Sequence, residues 1–369
     1  MTSFPKKLTH KLLQSKEKLL FRSLKTIYPL IDFSSNDYLG FSSQGFLDEE
    51  IKLIDKSIRV GSTGSRLISG NSSFFEEIES NIAKFHNSQS TLLFNSGYDA
   101  NVGLLSSVAQ KGDLILSDEL MHASLIDGIR LSFATHYKFK HNNVNHLIEL
   151  VNRFKDDFDE IYVVVESVYS MDGDCAPLIE ISKLCKEFNL HLIVDEAHAI
   201  GVFGNQGEGL CQHLNIQDYC FARIYTYGKA MGCHGAAIAC GEELKHYLIN
   251  YSRSFIYTTA MPEHSLIAIK AAYQLLTKTA EITKLNHNIA FFNSLLNHTS
   301  NFIESKSAIH CKLISGNKQV QEVEEKLSST DIFVKSIKSP TIKVGFERIR
   351  ICLHSFNTKE QISLLINSL

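Results

Sequence analysis

The sequence predicts an α/β protein in which a mostly parallel central sheet, covered by helices, fills a large domain and a smaller α+β domain follows it. Three observations predict this. Between residues 74 and 255, short apolar runs alternate with helical patterns, the order that a parallel sheet with crossover helices requires. The runs are short and continuous, many of them β-branched, as strands buried on both faces tend to be. After residue 256 the alternation gives way to one long helical stretch, and 369 residues suit two domains of the usual ~100–200 residues better than one.

Taken in order, the first 25 residues carry Leu8, Leu12, Leu13, Leu19 and Leu20 among lysines, which predicts an amphipathic helix with an apolar docking face. Arg22 is the one arginine there, which argues against a transit peptide. Phe74, Ile78, Ile82 and Phe85 recur at helical spacing, and residues 91–94 then form a strand that ends at Asn95, Ser96 and Gly97. Residues 114–116 and 161–165 are the next apolar runs. Leu178, Ile181, Leu184, Cys185 and Phe188 predict a helix before a strand at residues 190–194, and residues 221–225 form another apolar run. Strands are expected near 309–314, 332–337 and 348–353, then a closing helix with Asn357 as N-cap and Glu360 three residues on. The division expected is an N-terminal segment, 1–45, packing with the small domain; a large domain, 46–255; and the small domain, 256–369.

Composition narrows the function. A formal net charge of -3 from 37 basic and 40 acidic residues gives no field for a nucleic-acid backbone. No apolar run approaches the ~20 residues of a membrane-spanning helix. Eight cysteines without a C-x-x-C pair or a secretory leader read as reduced thiols of a soluble cytoplasmic protein.

Ligands of open α/β sheets collect beyond the carboxyl ends of the strands, so the polar residues there carry the chemistry. Asn95-Ser96-Gly97-Tyr98 can turn backbone N–H groups toward a phosphate, although alone it is an ordinary strand-to-helix turn. Asp118-Glu119-Leu120-Met121-His122 offers a histidine to lie on a planar ring; a lone histidine is more often structural. The segment 166–174 gathers hydroxyls and carboxylates, and Asp195-Glu196-Ala197-His198 follows its strand directly. That tetrapeptide also occurs in helicases, but Gly228-Lys229 is followed by Ala230, so there is no phosphate-binding G-x-x-x-x-G-K-[ST] loop. Zinc on His122, Asp195 and His198 stays open in principle, yet no pair of histidines has close helical ligand spacing with a glutamate base, and no metal is expected. Thr226-Tyr227-Gly228-Lys229 places a lysine among glycines and small residues, where poor solvation favours the neutral amine that forms imines. A lysine with an upstream aspartate is the partner pair of pyridoxal 5'-phosphate, one for its aldehyde and one for its ring nitrogen.

Together with Asn36-Asp37-Tyr38-Leu39-Gly40, the 61–70 segment Gly-Ser-Thr-Gly-Ser-Arg-Leu-Ile-Ser-Gly and Ser170-Met171-Asp172-Gly173-Asp174, these motifs resemble the α-oxoamine synthases over nearly the whole chain. The resemblance implies the fold-type-I architecture of pyridoxal-phosphate transferases and a homodimer with active sites at the subunit interface. It implies an acyltransferase that condenses an amino acid with an acyl thioester and releases carbon dioxide. Lys229 would hold the cofactor and move protons, Asp195 pair with the pyridine nitrogen, His198 contact the ring hydroxyl and His122 stack on the ring. Gly97, Tyr98 and Thr226 would hold the phosphate end with Ser170 nearby, and Tyr257 and Thr258 would reach the partner subunit's cofactor. Arg350 matches the arginine that receives the amino-acid carboxylate; Asn36, Thr341 and Arg22 match substrate-contacting positions. Asn71 after the last glycine of the 64–70 segment, where other branches carry threonine, favours L-alanine and a pimeloyl thioester of coenzyme A or acyl carrier protein. The rivals are other substrate pairs in the same family, an aminotransferase, and a catalytically silent dimer. Two departures stand out: the chain between Arg22 and Phe33 is short, so the usual hairpin there is expected to be absent, and Phe75 replaces a common histidine.

Overall fold

The runs of β-branched and small residues become strands because their side chains are covered on both faces. In the computed structural model, which describes residues 4–24, 30–54, 60–296 and 301–369, seven strands form the main sheet. They are β2 (Ser90–Phe94), β3 (Leu114–Asp118), β4 (Thr135–Phe139), β5 (Ile161–Glu166), β6 (His191–Asp195), β7 (Cys220–Thr226) and β8 (Ala236–Cys240), in the order β2-β8-β7-β6-β5-β3-β4. The five strands β3 to β7 are mutually parallel; β8 runs antiparallel to both its neighbours. Every residue of β2, β3, β5 and β8 is buried, as helices on both faces require. Edge strand β4, Thr-His-Tyr-Lys-Phe, buries only Phe139 fully and exposes Lys138, as an edge protected from further pairing does.

A second sheet orders β11 (Lys335–Ile337), β12 (Arg348–Cys352) and β9 (Ile309–Leu313), all antiparallel. β1 (Ile31–Asp32) pairs with β10 (Ile332–Phe333), tying the N-terminal segment to the C-terminal strands. The helices Glu263–Leu276 and Glu281–Leu295 precede this sheet. The loop after β5 is sewn onto it. Ser305 and Ser307 both donate hydroxyl hydrogen bonds of 2.8 Å to the Gly173 carbonyl, Cys311 donates to Met171 O at 3.1 Å, and Arg348 pairs with Asp172. Gly173 has φ +80, and a Cβ there would collide with the Ile309 carbonyl, so only glycine fits the seam.

Two local expectations differ. The closing helix, Lys359–Ser368, is capped one residue later than its pattern predicts: Thr358 and Gln361 make the reciprocal capping box. The Asn357 side chain instead accepts the His354 N–H at 2.8 Å and donates to Asp32 O at 3.1 Å, a tertiary role that outbids the cap. The N-terminal helix, Lys6–Glu17, forms as expected but buries no residue, and Leu8, Leu12 and Leu13 remain about half exposed. Residues 25–29 of the short N-terminal connection lie outside the described residues. All eight cysteines are free, and among the described residues no helix is long and apolar enough to cross a membrane.

Candidate active site

Three parallel strands end side by side and aim their last residues at one place: β5 delivers Glu166, β6 delivers Asp195 in register with it, and β7 delivers Thr226 with Lys229 three residues on. Lys229 is partly buried, and its Nζ lies 2.8 Å from His198 Nε2. The other ring nitrogen, His198 Nδ1, lies 2.8 Å from the Tyr38 hydroxyl, which also lies 3.1 Å from Asn36 Oδ1. Burial, then the nearby charges of Lys229 and Arg350, hold His198 well below its usual pKa and keep it neutral. Burial likewise lowers the Lys229 amine to about 8, against the pull of Asp195 and Glu166.

Asp195 is buried and held by two donors, the Ala197 N–H at 2.9 Å on Oδ1 and Asn101 Nδ2 at 2.7 Å on Oδ2. Such donors suit an ionised carboxylate. The exposed His122 caps the helix Ala123–Leu131 with its ring: Nδ1 accepts the Ser124 N–H at 3.2 Å and lies 2.7 Å from Ser124 Oγ. Its pKa is lowered first by desolvation from the groups packed round its ring and then by the Lys229 charge. Glu166, fully buried, accepts the His122 backbone N–H and is pushed up to about 8, first by burial and then by the charge of Asp195.

Ser96 caps the helix Gly97–Val108, whose free N–H groups make an anion site. A Cβ on Gly97 would overlap the Thr226 hydroxyl, so the glycine lets β7 bring Thr226 to the helix start. Thr258 Oγ1 accepts from Asn95 Nδ2 at 3.1 Å beside the same turn. Tyr98 is half exposed with its hydroxyl on Asp127 at 2.7 Å, and Tyr257 is 73% exposed with the Arg253 guanidinium 4.8 Å over its ring. Arg350 is buried; it donates to Ser170 O at 2.6 Å and to Asn36 Oδ1 at 3.0 Å, and among the described residues it has no carboxylate partner. Arg348, by contrast, is spent on Asp172.

The structure thus gathers Lys229, His198, Asp195, Asn36 and Arg350 with Gly97 and Thr226 at the strand ends. Ser170 reaches the site through its carbonyl. Two candidates stand apart: Arg22 is exposed in the stretch after the N-terminal helix, and Thr341 is exposed with its N–H on Lys338 O at 3.0 Å. Sequence reading assigned no role to Tyr38, Glu166 or Asn101. The first two stand inside quoted motifs, and strand-end position would have flagged Glu166; Asn101 sits mid-helix without any local signal.

A neutral-leaning amine, a carboxylate on two donors, an imidazole ring and a helix N-terminus with a hydroxyl fit pyridoxal 5'-phosphate: aldehyde, ring nitrogen, ring face and phosphate each have a matching group. The model of aminotransferase class I and II matches residues 28–369. The chain is 40% identical to the 8-amino-7-oxononanoate synthase of Emericella nidulans over 97% of its own length and 93% of that protein's, and 35% identical to that of Vibrio atlanticus over 100% and 93%. Among solved structures, the 8-amino-7-oxononanoate synthase of Francisella tularensis superposes with TM-score 0.77 at 31% identity, covering 92% of this chain and 96% of that one. The serine palmitoyltransferase of Sphingomonas wittichii gives 0.91 at 24% identity, covering 100% and 97%, a likeness of fold. The chain belongs to the class I and II aminotransferase family, among the 8-amino-7-oxononanoate synthases.

Proposed function

We propose that the protein is a pyridoxal-phosphate acyltransferase that condenses L-alanine with a pimeloyl thioester, releasing carbon dioxide and 8-amino-7-oxononanoate, a step of biotin biosynthesis. The observation that carries this reading is the 2.8 Å approach of the Lys229 amine to neutral His198, beside an Asp195 held on two donors. When bound, the cofactor supplies an electron sink for the bond broken at the α-carbon. Lys229 would be its attachment point, and its amine, lowered to about 8 by burial, would take up and return the α-proton. Asp195, on its two donors, would pair with the ring nitrogen. His198, 2.8 Å from the Lys229 amine, would hold the lysine's direction of approach. Gly97 and Thr226, with Tyr98 beside them, would hold the phosphate.

Arg350, buried and with no carboxylate partner among the described residues, would receive that of alanine, with Asn36 and the Ser170 carbonyl holding the guanidinium still. Thr341 and Arg22 complete the proposed substrate side, Arg22 toward the far carboxyl of the acyl chain, and Ser170 belongs near the phosphate end of the cofactor. The exposure of Tyr257 supports a homodimer in which Tyr257 and Thr258 serve the neighbouring site. Mass spectrometry of the products from alanine, glycine or serine against a panel of acyl thioesters tests the reading. The amino ketone of alanine with pimeloyl-CoA or its carrier-protein ester is expected; efficient turnover of glycine with acetyl-CoA overturns the named reaction.

A further inference from the structure

Asn101 lies in the middle of the helix Gly97–Val108, 2% exposed, in a position where an amide has no water to satisfy it. Its Nδ2 makes two hydrogen bonds, 2.7 Å to Asp195 Oδ2 and 2.9 Å to Ser124 Oγ. Ser124 Oγ in turn lies 2.7 Å from His122 Nδ1. The directions along this chain are forced. Asp195 can only accept, so the amide must present its NH2 and not its carbonyl to that side. Ser124 Oγ accepts the second amide hydrogen and donates its own to His122 Nδ1, which also accepts the Ser124 backbone N–H. The imidazole proton is thereby left on Nε2.

The amide carbonyl bears the cost of this arrangement: Asn101 Oδ1 is buried with no hydrogen-bond partner among the described residues. An orphaned buried acceptor is destabilising, and a residue kept for packing or for its own stability would not leave one. The cost is explained if both hydrogens are needed where they are.

We propose that Asn101 is a positioning residue that fixes Asp195 and His122 as a unit, one amide hydrogen holding the carboxylate assigned to the ring nitrogen and the other setting, through Ser124, the tautomer and tilt of the imidazole assigned to the ring face. This rests on the proposed function, since it concerns the same site. The two groups come from different elements, β6 and the turn before the helix Ala123–Leu131, and this side chain bridges them.

The test uses the full-length protein, wild type, Asn101→Ala, the isosteric Asn101→Asp, which has no N–H to donate, the volume-matched Asn101→Leu, and Ser124→Ala. Five readouts are taken: affinity of the apoprotein for pyridoxal phosphate, exchange of the alanine α-proton with solvent deuterium in the absence of thioester, KM for the thioester, the imidazole 15N shifts of His122, and the melting temperature. Loss of a hydrogen bond to a charged group should weaken cofactor binding and slow α-proton exchange about ten- to a hundredfold in all three Asn101 variants. KM for the thioester should hold, and the 15N shifts should lose the single Nε2–H signature. Ser124→Ala should reproduce the imidazole change and keep cofactor affinity. If Asn101→Ala does not fold, Asn101→Leu carries the same expectations. Wild-type cofactor affinity and wild-type His122 shifts in Asn101→Leu overturn the inference and leave Asn101 a packing residue. A wild-type protein that binds no pyridoxal phosphate and exchanges no α-proton overturns instead the reading on which the inference rests.

Discussion

Glu166 shows how a single side chain couples the site to pH. The carboxyl, ordinarily near 4.5, keeps its proton to about 8 in the folded chain because burial and then the charge of Asp195 penalise its ionised form. The unfolded chain gives that proton up near 4.5, so the contribution to stability is whole below that pH and drains away as pH rises toward 8. Glu166→Gln, which has no proton to lose, should gain stability relative to wild type between pH 4.5 and 8, and urea melts at pH 5 and pH 8 measure it; equal differences at both would contradict the shift. Arg22 makes a different kind of prediction. An exposed guanidinium that meets the far carboxylate of a pimeloyl chain contributes a surface ion pair, so Arg22→Ala should raise KM for pimeloyl-CoA about two- to fivefold and leave alanine KM and kcat alone. An unchanged preference for pimeloyl over heptanoyl thioesters would remove Arg22 from the site. Asp195 directly follows an apolar run, and Lys229, His198 and His122 lie within six residues of one, which is why the sequence could single them out as candidates. Asn101 was not, since its meaning depends on a carboxylate 94 residues away in sequence.

At the scale of elements, buried strands could be read wherever apolar residues ran continuously, as in β5 and β6. Two strands of the main sheet could not. β4 is a polar edge with one buried residue, and β8, Ala-Ala-Ile-Ala-Cys, reads as a stretch of small residues until β2 and β7 close over it. The capping error at the last helix has the same origin: Asn357 is a good cap by type, and only its tertiary bonds to His354 and Asp32 show why Thr358 takes the role. Thr358→Ala should therefore cost about 1 kcal/mol of stability, the value of an N-cap hydroxyl, without changing turnover. Denaturant titration checks the first and steady-state kinetics the second. The N-terminal helix was legible as a helix, but its apolar stripe finds no cover among the described residues.

For the whole molecule, the seam between the loop at 170–174 and the strands β9 and β12 matters most, because it joins the sheet that carries Lys229 to the sheet that carries Arg350. Gly173→Ala places a side chain at φ +80 and against the Ile309 carbonyl; the backbone conformation alone costs about 1–2 kcal/mol. A lower melting temperature and a raised KM for alanine are expected together in that variant, and a loss of stability with unchanged alanine KM would show that the seam does not seat Arg350. The seam also acts as a gauge. With Arg350 anchored to the Ser170 carbonyl, the span from guanidinium to lysine is fixed by the sheet and does not stretch to suit the ligand. An amino acid whose amine is one methylene farther from its carboxylate overshoots that span, so β-alanine should neither turn over nor compete with L-alanine at matched concentration, whereas D-alanine, which keeps the spacing, should compete without turning over.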